Sequence, residues 1–357
     1  MIKPVEVLDV GMHGDQVGRL VMAPDYRAVF EYDPGWLARG FSISPFYLPL
    51  QKGAFTAKRD PFDGLFGVFN DSLPDGWGNL LLDRLLRKNG INPSSLSPVD
   101  RLSIIGSSGM GALTYYPENN IANQNGINDL DTLAAQVNEV LNNENTESLE
   151  NLFQQGGSSG GARPKVLIQI DGDYWLVKFR SSSDPPNIGE LEYNYSLLAR
   201  RCGIEMPETR LFEGKYFGVK RFDRIDNKQL HLHSASGLLY ASHRFPSLDY
   251  VDLLKATMAL TRNIEELTKV FRLMIFNVKI ENMDDHAKNF SYLYKDNKWQ
   301  FAPAYDLLKS DGFNGQHITA IAGKGNPKFD DIMTVAKQVG ISNKTALKIY
   351  EEVMDQK

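Results

Sequence analysis

Between residues 5 and 117 apolar side chains come in short runs divided by turn chemistry, as in Gly18-Arg19-Leu20-Val21-Met22 and Ala28-Val29-Phe30-Glu31-Tyr32 ahead of Asp33-Pro34-Gly35. That pattern predicts antiparallel β-structure. One helix interrupts it over 77–88: Leu81, Leu82, Leu85 and Leu86 share a face, Ser72-Leu73-Pro74-Asp75 opens it and Asn89-Gly90 closes it. The leucine face reads as a docking surface of a small domain. Residues 118–128 carry five asparagines and few apolar groups, which places a domain boundary near residue 120. Leu130, Leu133, Val137, Val140 and Leu141 then recur at helical spacing, and a second polar stretch leads into a glycine run. Two apolar β runs, 166–170 and 174–179, bracket Asp171-Gly172 as a hairpin. A helix over 188–201 follows, with Asn187 and Glu190 at its cap and third positions. Two β segments surround Glu213-Gly214-Lys215, the pattern is continuously helical over 253–280, a hairpin is expected over 291–302, and a last helix over 345–354.

The length of 357 residues fits about two domains. Lys+Arg 39 against Asp+Glu 44 leaves a net charge of −5 and a pI near 5.8, which argues against a chain devoted to binding phosphate backbones. The lone Cys202 excludes an internal disulfide and a cysteine-ligated zinc site. With no apolar stretch near the ~18 residues of a membrane span and no secretory apolar run at the start, the expectation is a cytoplasmic protein without membrane contact.

The most informative segment is Asn282-Met283-Asp284-Asp285-His286-Ala287-Lys288-Asn289-Phe290. A helix precedes it, a hairpin follows, and Tyr305-Asp306 stands behind the hairpin. A loop acid, an asparagine five residues on, a hairpin and a second acid form the order used for phosphoryl transfer in protein kinases. Asp284 is the expected base, able to orient an acceptor hydroxyl and take its proton. Asn289 and Asp306 offer the oxygen donors that Mg²⁺ prefers beside a triphosphate. Upstream, Gly156-Gly157-Ser158-Ser159-Gly160-Gly161 precedes a strand and can turn backbone N–H groups toward a phosphate. Lys165 and Lys178 follow it, and Lys178 is a charge on an otherwise apolar strand that calls for an anionic partner. ATP phosphates and Glu192 are the candidates. Phe222 is a candidate lining of an adenine slot. A similar run, Gly106-Ser107-Ser108-Gly109-Met110-Gly111, lacks a lysine on the strand behind it and reads as a turn of the small domain. His231 and His233 alternate along a strand and Asp311-Gly312-Phe313 reads as a turn, so neither is assigned a metal.

Residues 284–291, Ala302-Pro303-Ala304-Tyr305-Asp306-Leu307, residues 157–165, Arg221-Phe222-Asp223-Arg224 and the stretch Phe69-Asn70-Asp71-Ser72-Leu73-Pro74-Asp75-Gly76-Trp77-Gly78 together resemble the HipA-type serine/threonine kinases, toxins of bacterial toxin–antitoxin pairs. The resemblance implies an α+β fold: a protein-kinase-like two-lobed core behind a small β-rich N-terminal domain. It divides the chain into 1–120 and 121–357, with a β-rich lobe at about 150–225 and a helical lobe at about 245–357. It implies Asp284 as catalytic base, Asn289 and Asp306 as Mg²⁺ ligands, Lys178 as the phosphate-binding lysine, and His286 and Lys288 near the transferring group. Gly157, Ser158, Ser159, Gly160, Gly161, Lys165, Glu192, Lys220, Phe222, Asp223, His286 and Tyr305 would line the ATP site. Ser158, with Ser159 as alternative, matches a self-phosphorylated loop serine whose modification switches the kinase off, as the addition of negative charge to a phosphate-holding loop would. The implied partners are a helix-turn-helix antitoxin of the HipB type, DNA only through that antitoxin, and a translation component such as an aminoacyl-tRNA synthetase as substrate. Lys220 departs from the glutamate that many relatives carry before Arg-Phe-Asp-Arg. The rival readings are a silent kinase-fold co-repressor and a kinase for a non-protein acceptor.

Overall fold

A computed structural model describes residues 4–121, 129–142, 148–157, 161–225 and 228–356. The chain forms two compact units, Met1–Gly189 with Arg210–His231, and Glu190–Thr209 with Leu232–Lys357.

The first unit begins with β1 (Leu8–Met12), β2 (Asp15–Met22), β3 (Ala28–Tyr32), α1 (Pro34–Arg39), β4 (Ala54–Thr56), α2 (Gly67–Asn70), α3 (Gly76–Lys88), α4 (Pro98–Ile105) and β5 (Leu113–Tyr116). The strands form an antiparallel sheet in the order β4-β3-β2-β1-β5. Alternation puts Leu20, Ala28 and Phe30 inside, and the Phe30 ring meets Phe69 of α2 at 5.1 Å. Next come α5 (Leu130–Leu141), α6 (Ser148–Gly156), β6 (Lys165–Ile170), β7 (Asp173–Lys178) and α7 (Ile188–Arg201), which continues into the second unit. With β8 (Thr209–Phe212) and β9 (Tyr216–Lys220) the hairpin makes a sheet ordered β6-β7-β9-β8, followed by a short pair, β10 (Arg224–Ile225) with β11 (Lys228–Gln229).

The leucine face of α3 is buried as the spacing predicts, but what it packs against was not readable locally. Leu82 and Leu85 share a core with Leu133 of α5, Leu152 of α6, and Val166 and Trp175 of the sheet. The helix α6 itself differs from the polar stretch expected there. Leu149, Leu152 and Phe153 at i, i+3 and i+4 bury one side of it, enough to fold nine residues whose other positions are polar.

The second unit contains β12 (His231–Ser234, entered from the first), α8 (Ala235–Leu239), β13 (Leu248–Asp249), α9 (Tyr250–Thr261), α10 (Ile264–Lys279), β14 (Ser291–Lys295), β15 (Lys298–Phe301), β16 (Thr319–Ala320), α11 (Phe329–Gln338) and α12 (Asn343–Met354). Its core is built on α10, whose Phe271, Met274, Ile275 and Phe276 are fully buried. The continuous helix expected over 253–280 is two helices. Arg262 adopts a left-handed φ of +50° and Asn263 caps α10 by accepting from Glu265 N–H at 2.9 Å. The hairpin β14–β15 has the expected place, with Tyr292 opposite Phe301. No helix among the described residues is long and apolar enough to cross a membrane.

Candidate active site

The loop joining α10 to β14 is held from both sides. Met283 N–H donates to Ser310 O at 3.4 Å, and its carbonyl accepts from Ile318 N–H at 3.0 Å. Asp284 N–H donates to Ser310 Oγ at 2.8 Å, while its carbonyl accepts the side-chain amide of Asn289 at 2.8 Å. The Asp284 side chain is exposed on a backbone whose donor and acceptor are both taken. A short 3₁₀ turn, Ala287–Asn289, carries Asn289 back over the loop, and its N–H donates to His286 O at 2.8 Å. Since Asn289 Nδ2 faces the Asp284 carbonyl, Oδ1 is left as the acceptor for another partner.

Asp306 sits on left-handed backbone, φ +57°, a conformation a non-glycine residue adopts only when its surroundings impose it. Asn282 Nδ2 reaches its carbonyl at 3.4 Å and Asn277 Oδ1 at 3.1 Å. Next to it, Tyr305 OH lies 2.6 Å from both Lys288 O and Ser291 Oγ. Tyr305 thus props the loop from Asp284 to Ser291 through its hydroxyl, a contact the sequence did not indicate. Amide and carboxylate oxygens of Asn289 and Asp306 fit a hard divalent cation. No cluster of three or more His, Cys, Asp or Glu able to hold a metal occurs among the described residues, so such a cation would take its other ligands from phosphate and water. His286 is half-buried, its ring 6.2 Å from that of His243, and its Nδ1 has no hydrogen-bond partner.

Asp285, adjacent to the exposed acid, is fully buried. Tyr250 OH and His317 Nδ1 each stand 3.0 Å from its Oδ2, and Thr319 N–H donates to Oδ1 at 3.1 Å. Burial pushes its carboxyl above the ordinary value, against the opposing hydrogen bonds of His317, Thr319 and Tyr250. The spacing to Asn289 singles out Asp284 and gives its neighbour no role; the structure gives the two acids opposite environments.

In the first unit, Lys165 and Lys178 lie directly opposite one another across the β6–β7 ladder. Lys165 is 5 % exposed and Lys178 half-buried, its ammonium 5.7 Å from the Phe217 ring centre. Two facing cations at a strand end require negative charge nearby. Gly161, at the end of the glycine run, is held by the start of α3. Gly161 N–H donates to Asp75 Oδ1, Trp77 N–H donates to Gly161 O at 3.1 Å, and Trp77 Nε1 donates to Lys165 O at 3.1 Å. The carboxylate at the N-cap position of α3 makes no cap bond, being engaged by Gly161. Gly76, with φ +28°, passes so close that a Cβ there would lie 2.6 Å from Ala162 Cα, which only glycine permits. Gly157 is buried and donates to Phe153 O at 2.8 Å. Ser158, Ser159 and Gly160 lie outside the described residues.

Among the other residues expected at ATP, one is placed differently. Asp223, expected at the nucleotide, is 2 % exposed and instead forms a buried network: it accepts from Arg221 Nε at 2.7 Å, Arg224 Nη1 at 2.8 Å and Gly111 N–H at 2.9 Å. Arg224 also donates to Gly111 O at 2.8 Å and Gly109 O at 3.0 Å. The Gly106–Gly111 run is the turn it was expected to be, and it serves as the acceptor of this arginine. Lys220 pairs with Asp173 at 2.7 Å across the sheet. Phe222 is half-buried, and Glu192 is buried on α7 at 4 % exposure. His231, buried, places Nε2 2.8 Å from Ile43 O, a packed strand histidine.

The chain matches the family described as "HipA N-terminal domain" over residues 8–116 and that described as "HipA-like C-terminal domain" over residues 157–357. It is 22 % identical to "Putative kinase Y4dM" of Sinorhizobium fredii over 98 % of this chain and 90 % of that protein. It is 29 % identical to "Putative kinase Y4mE" of the same organism, over 86 % and 78 % respectively. Among solved structures it is similar to a chain of the Shewanella oneidensis toxin–antitoxin complex of HipA, HipB and operator DNA, with a TM-score of 0.73 and 18 % identity over 97 % of this chain and 88 % of that one. The fold is thus the α+β, kinase-like, two-lobed fold expected. With both modules matched, the C-terminal one over more than half of the chain, the chain belongs to the HipA family.

Proposed function

We propose that the protein is an ATP- and Mg²⁺-dependent serine/threonine protein kinase acting in the cytoplasm as the toxin of a toxin–antitoxin pair. The observation that carries this is Asp284, an exposed carboxylate on a backbone pinned by Ser310 and Asn289. Such a group orients an acceptor hydroxyl and receives its proton without itself having to be ordered at the moment of reaction. Lys165 and Lys178 carry the charge that would hold the phosphates. Asn289 and Asp306 would hold Mg²⁺, which when bound neutralises charge developing on the phosphoryl oxygens. His286 and Lys288 flank the base, and Glu192, Phe222 and Tyr305 complete the reading of the site.

The organisation proposed is a β-rich N-terminal module over 1–120 and a kinase module over 121–357. The acceptor is a translation component such as an aminoacyl-tRNA synthetase, and Ser158, or alternatively Ser159, is the self-modified residue that turns the enzyme off. A HipB-type helix-turn-helix antitoxin is the partner, in keeping with the acidic pI near 5.8, which leaves DNA contact to that partner. The assay is intact-mass and peptide analysis of phosphatase-treated protein after incubation with Mg²⁺ and ATP. One phosphate gained on Ser158 or Ser159 is expected. Absence of transfer to itself and to cell-extract protein alike would defeat the protein-kinase reading, in favour of a kinase for a non-protein acceptor if ATP is bound and of a silent co-repressor if it is not.

The clamp of α3 on Gly161 adds a prediction. Asp75→Asn exchanges a charge-assisted hydrogen bond for a weaker neutral one, at a loss of roughly 1 kcal/mol. ATP affinity measured by calorimetry should fall severalfold, with melting temperature little changed.

A further inference from the structure

We propose that Asp285 is a positioning residue for phosphoryl transfer: its buried carboxylate locks the loop so that its neighbour Asp284 is presented outward as the base. The inference rests on the kinase reading of Asp284 and names what holds that residue in place.

The carboxylate collects donors from two separate segments. Tyr250 is the first residue of α9, while Thr319 opens β16 and His317 lies two residues before it. The two segments are already tied together, because β13, immediately before Tyr250, pairs in parallel with β16, Leu248 opposite Thr319. Asp285 therefore fastens the catalytic loop to a small preassembled frame. Proton directions agree. Tyr250 OH accepts from Asn277 Nδ2 at 2.9 Å, which leaves its own hydrogen for Asp285 Oδ2. Thr319 binds twice, since its Oγ1 also donates to Asp285 O.

From Asp285 the polar chain runs on through Tyr250 and Asn277 to Asn282, whose Oδ1 accepts from Ser310 Oγ at 3.2 Å. Ser310 Oγ is the group that accepts from Asp284 N–H. Asp284 and Asp285 thus share one closed circuit, the second turned inward and the first outward. A wholly buried carboxylate is costly unless every donor is in place. Its presence in this loop is explained if the fixed geometry it imposes is what the neighbouring base requires.

The test compares unmodified protein with Asp285→Asn and Tyr250→Phe. Transfer kinetics and ATP affinity are measured alongside amide hydrogen exchange. In the asparagine variant an amide N–H must face either Thr319 N–H or the Tyr250 and His317 donors, and the loop loosens. Exchange at residues 283–285 and 319 should rise at least tenfold while α10 stays protected. The kcat should fall by about 10²-fold, the scale of an ångström-sized misplacement, with the ATP KM within twofold. Tyr250→Phe should lose less, and the double variant should be no slower than Asp285→Asn, as members of one circuit are not additive. Unchanged exchange at 283–285, or an unchanged kcat in folded Asp285→Asn protein, overturns the proposal. So does a loss confined to ATP affinity and melting temperature. If the unmodified protein transfers no phosphate, the kinase reading fails instead, and the exchange data still decide whether Asp285 pins the loop.

Discussion

Asp284→Asn protein is expected to transfer phosphate about 10²–10⁴ times more slowly than unmodified protein, the range attributed to a positioned base, while binding Mg·ATP with an affinity within about twofold. The substitution is nearly isosteric, and the backbone bonds that hold position 284 come from Ser310 Oγ and the Asn289 amide, neither of which touches the replaced oxygen. What the asparagine lacks at the reacting centre is a carboxylate able to take the proton. Asp306→Asn should behave differently, lowering both transfer and Mg²⁺-dependent nucleotide affinity, because that side chain is assigned to the cation. Initial rates with labelled ATP and separate titrations of nucleotide with and without Mg²⁺ distinguish the two. Equal rates for Asp284→Asn and unmodified protein would sink the assignment of the base.

Removing Asp223 should cost the fold about 3–5 kcal/mol, the scale seen when one partner of a buried ion pair is deleted. Arg221 and Arg224 have side chains only 6 % and 9 % exposed, and Asp223→Ala leaves two guanidinium groups facing one another without a counter-charge. The strain is already visible in Arg224. Burial and the neighbouring Arg221 charge bring it down to about 10, and the Asp223 carboxylate only partly offsets them. Burial alone would push Asp223 up, but the charges and hydrogen bonds of Arg221 and Arg224 and the Gly111 N–H hold it below the ordinary aspartate value. A carboxyl lowered on folding binds more protons in the unfolded chain. Its stabilisation is therefore complete above the unfolded value near pH 3.9 and disappears as pH falls through the lower folded one. Urea unfolding at pH 7 should show the full deficit for Asp223→Ala, and the deficit should shrink in acid below about pH 4. A deficit independent of pH down to that range would mean packing rather than charge.

What was legible in the sequence was local. The leucine stripe of α3, the hairpin that sets Lys165 against Lys178, and the loop from Asp284 to Asn289 all depend on residues within one element or one turn of each other. Periodicity and turn chemistry report such arrangements directly. The parts that escaped join distant segments through polar groups that look ordinary in isolation. Asp75 reads as a helix cap until Gly161 is found on it. Asp223 reads as a nucleotide contact until Gly111 and two arginines enclose it. Asp285 has no role in the local spacing until His317 and Thr319 arrive from thirty-odd residues downstream. The helix α6 was hidden for another reason. Its apolar face is only three residues long, too short for a periodic signal beside so many amides. The interruption between α9 and α10 was marked by Asn263, a strong capping type whose signal the surrounding helical pattern masked.

The core that α3 shares with α5, α6 and the β6-β7-β9-β8 sheet runs across the boundary that the polar stretch near residue 120 suggests. A chain divided near residue 120 would leave four leucines and Trp77 bare on one fragment and their complement bare on the other. Neither half would be a finished domain, and each would be the other's natural ligand. Two coexpressed polypeptides cut there should reassemble without covalent linkage, and the N-terminal piece would then be a dosable subunit, its supply setting how much of the partner attains a buried core.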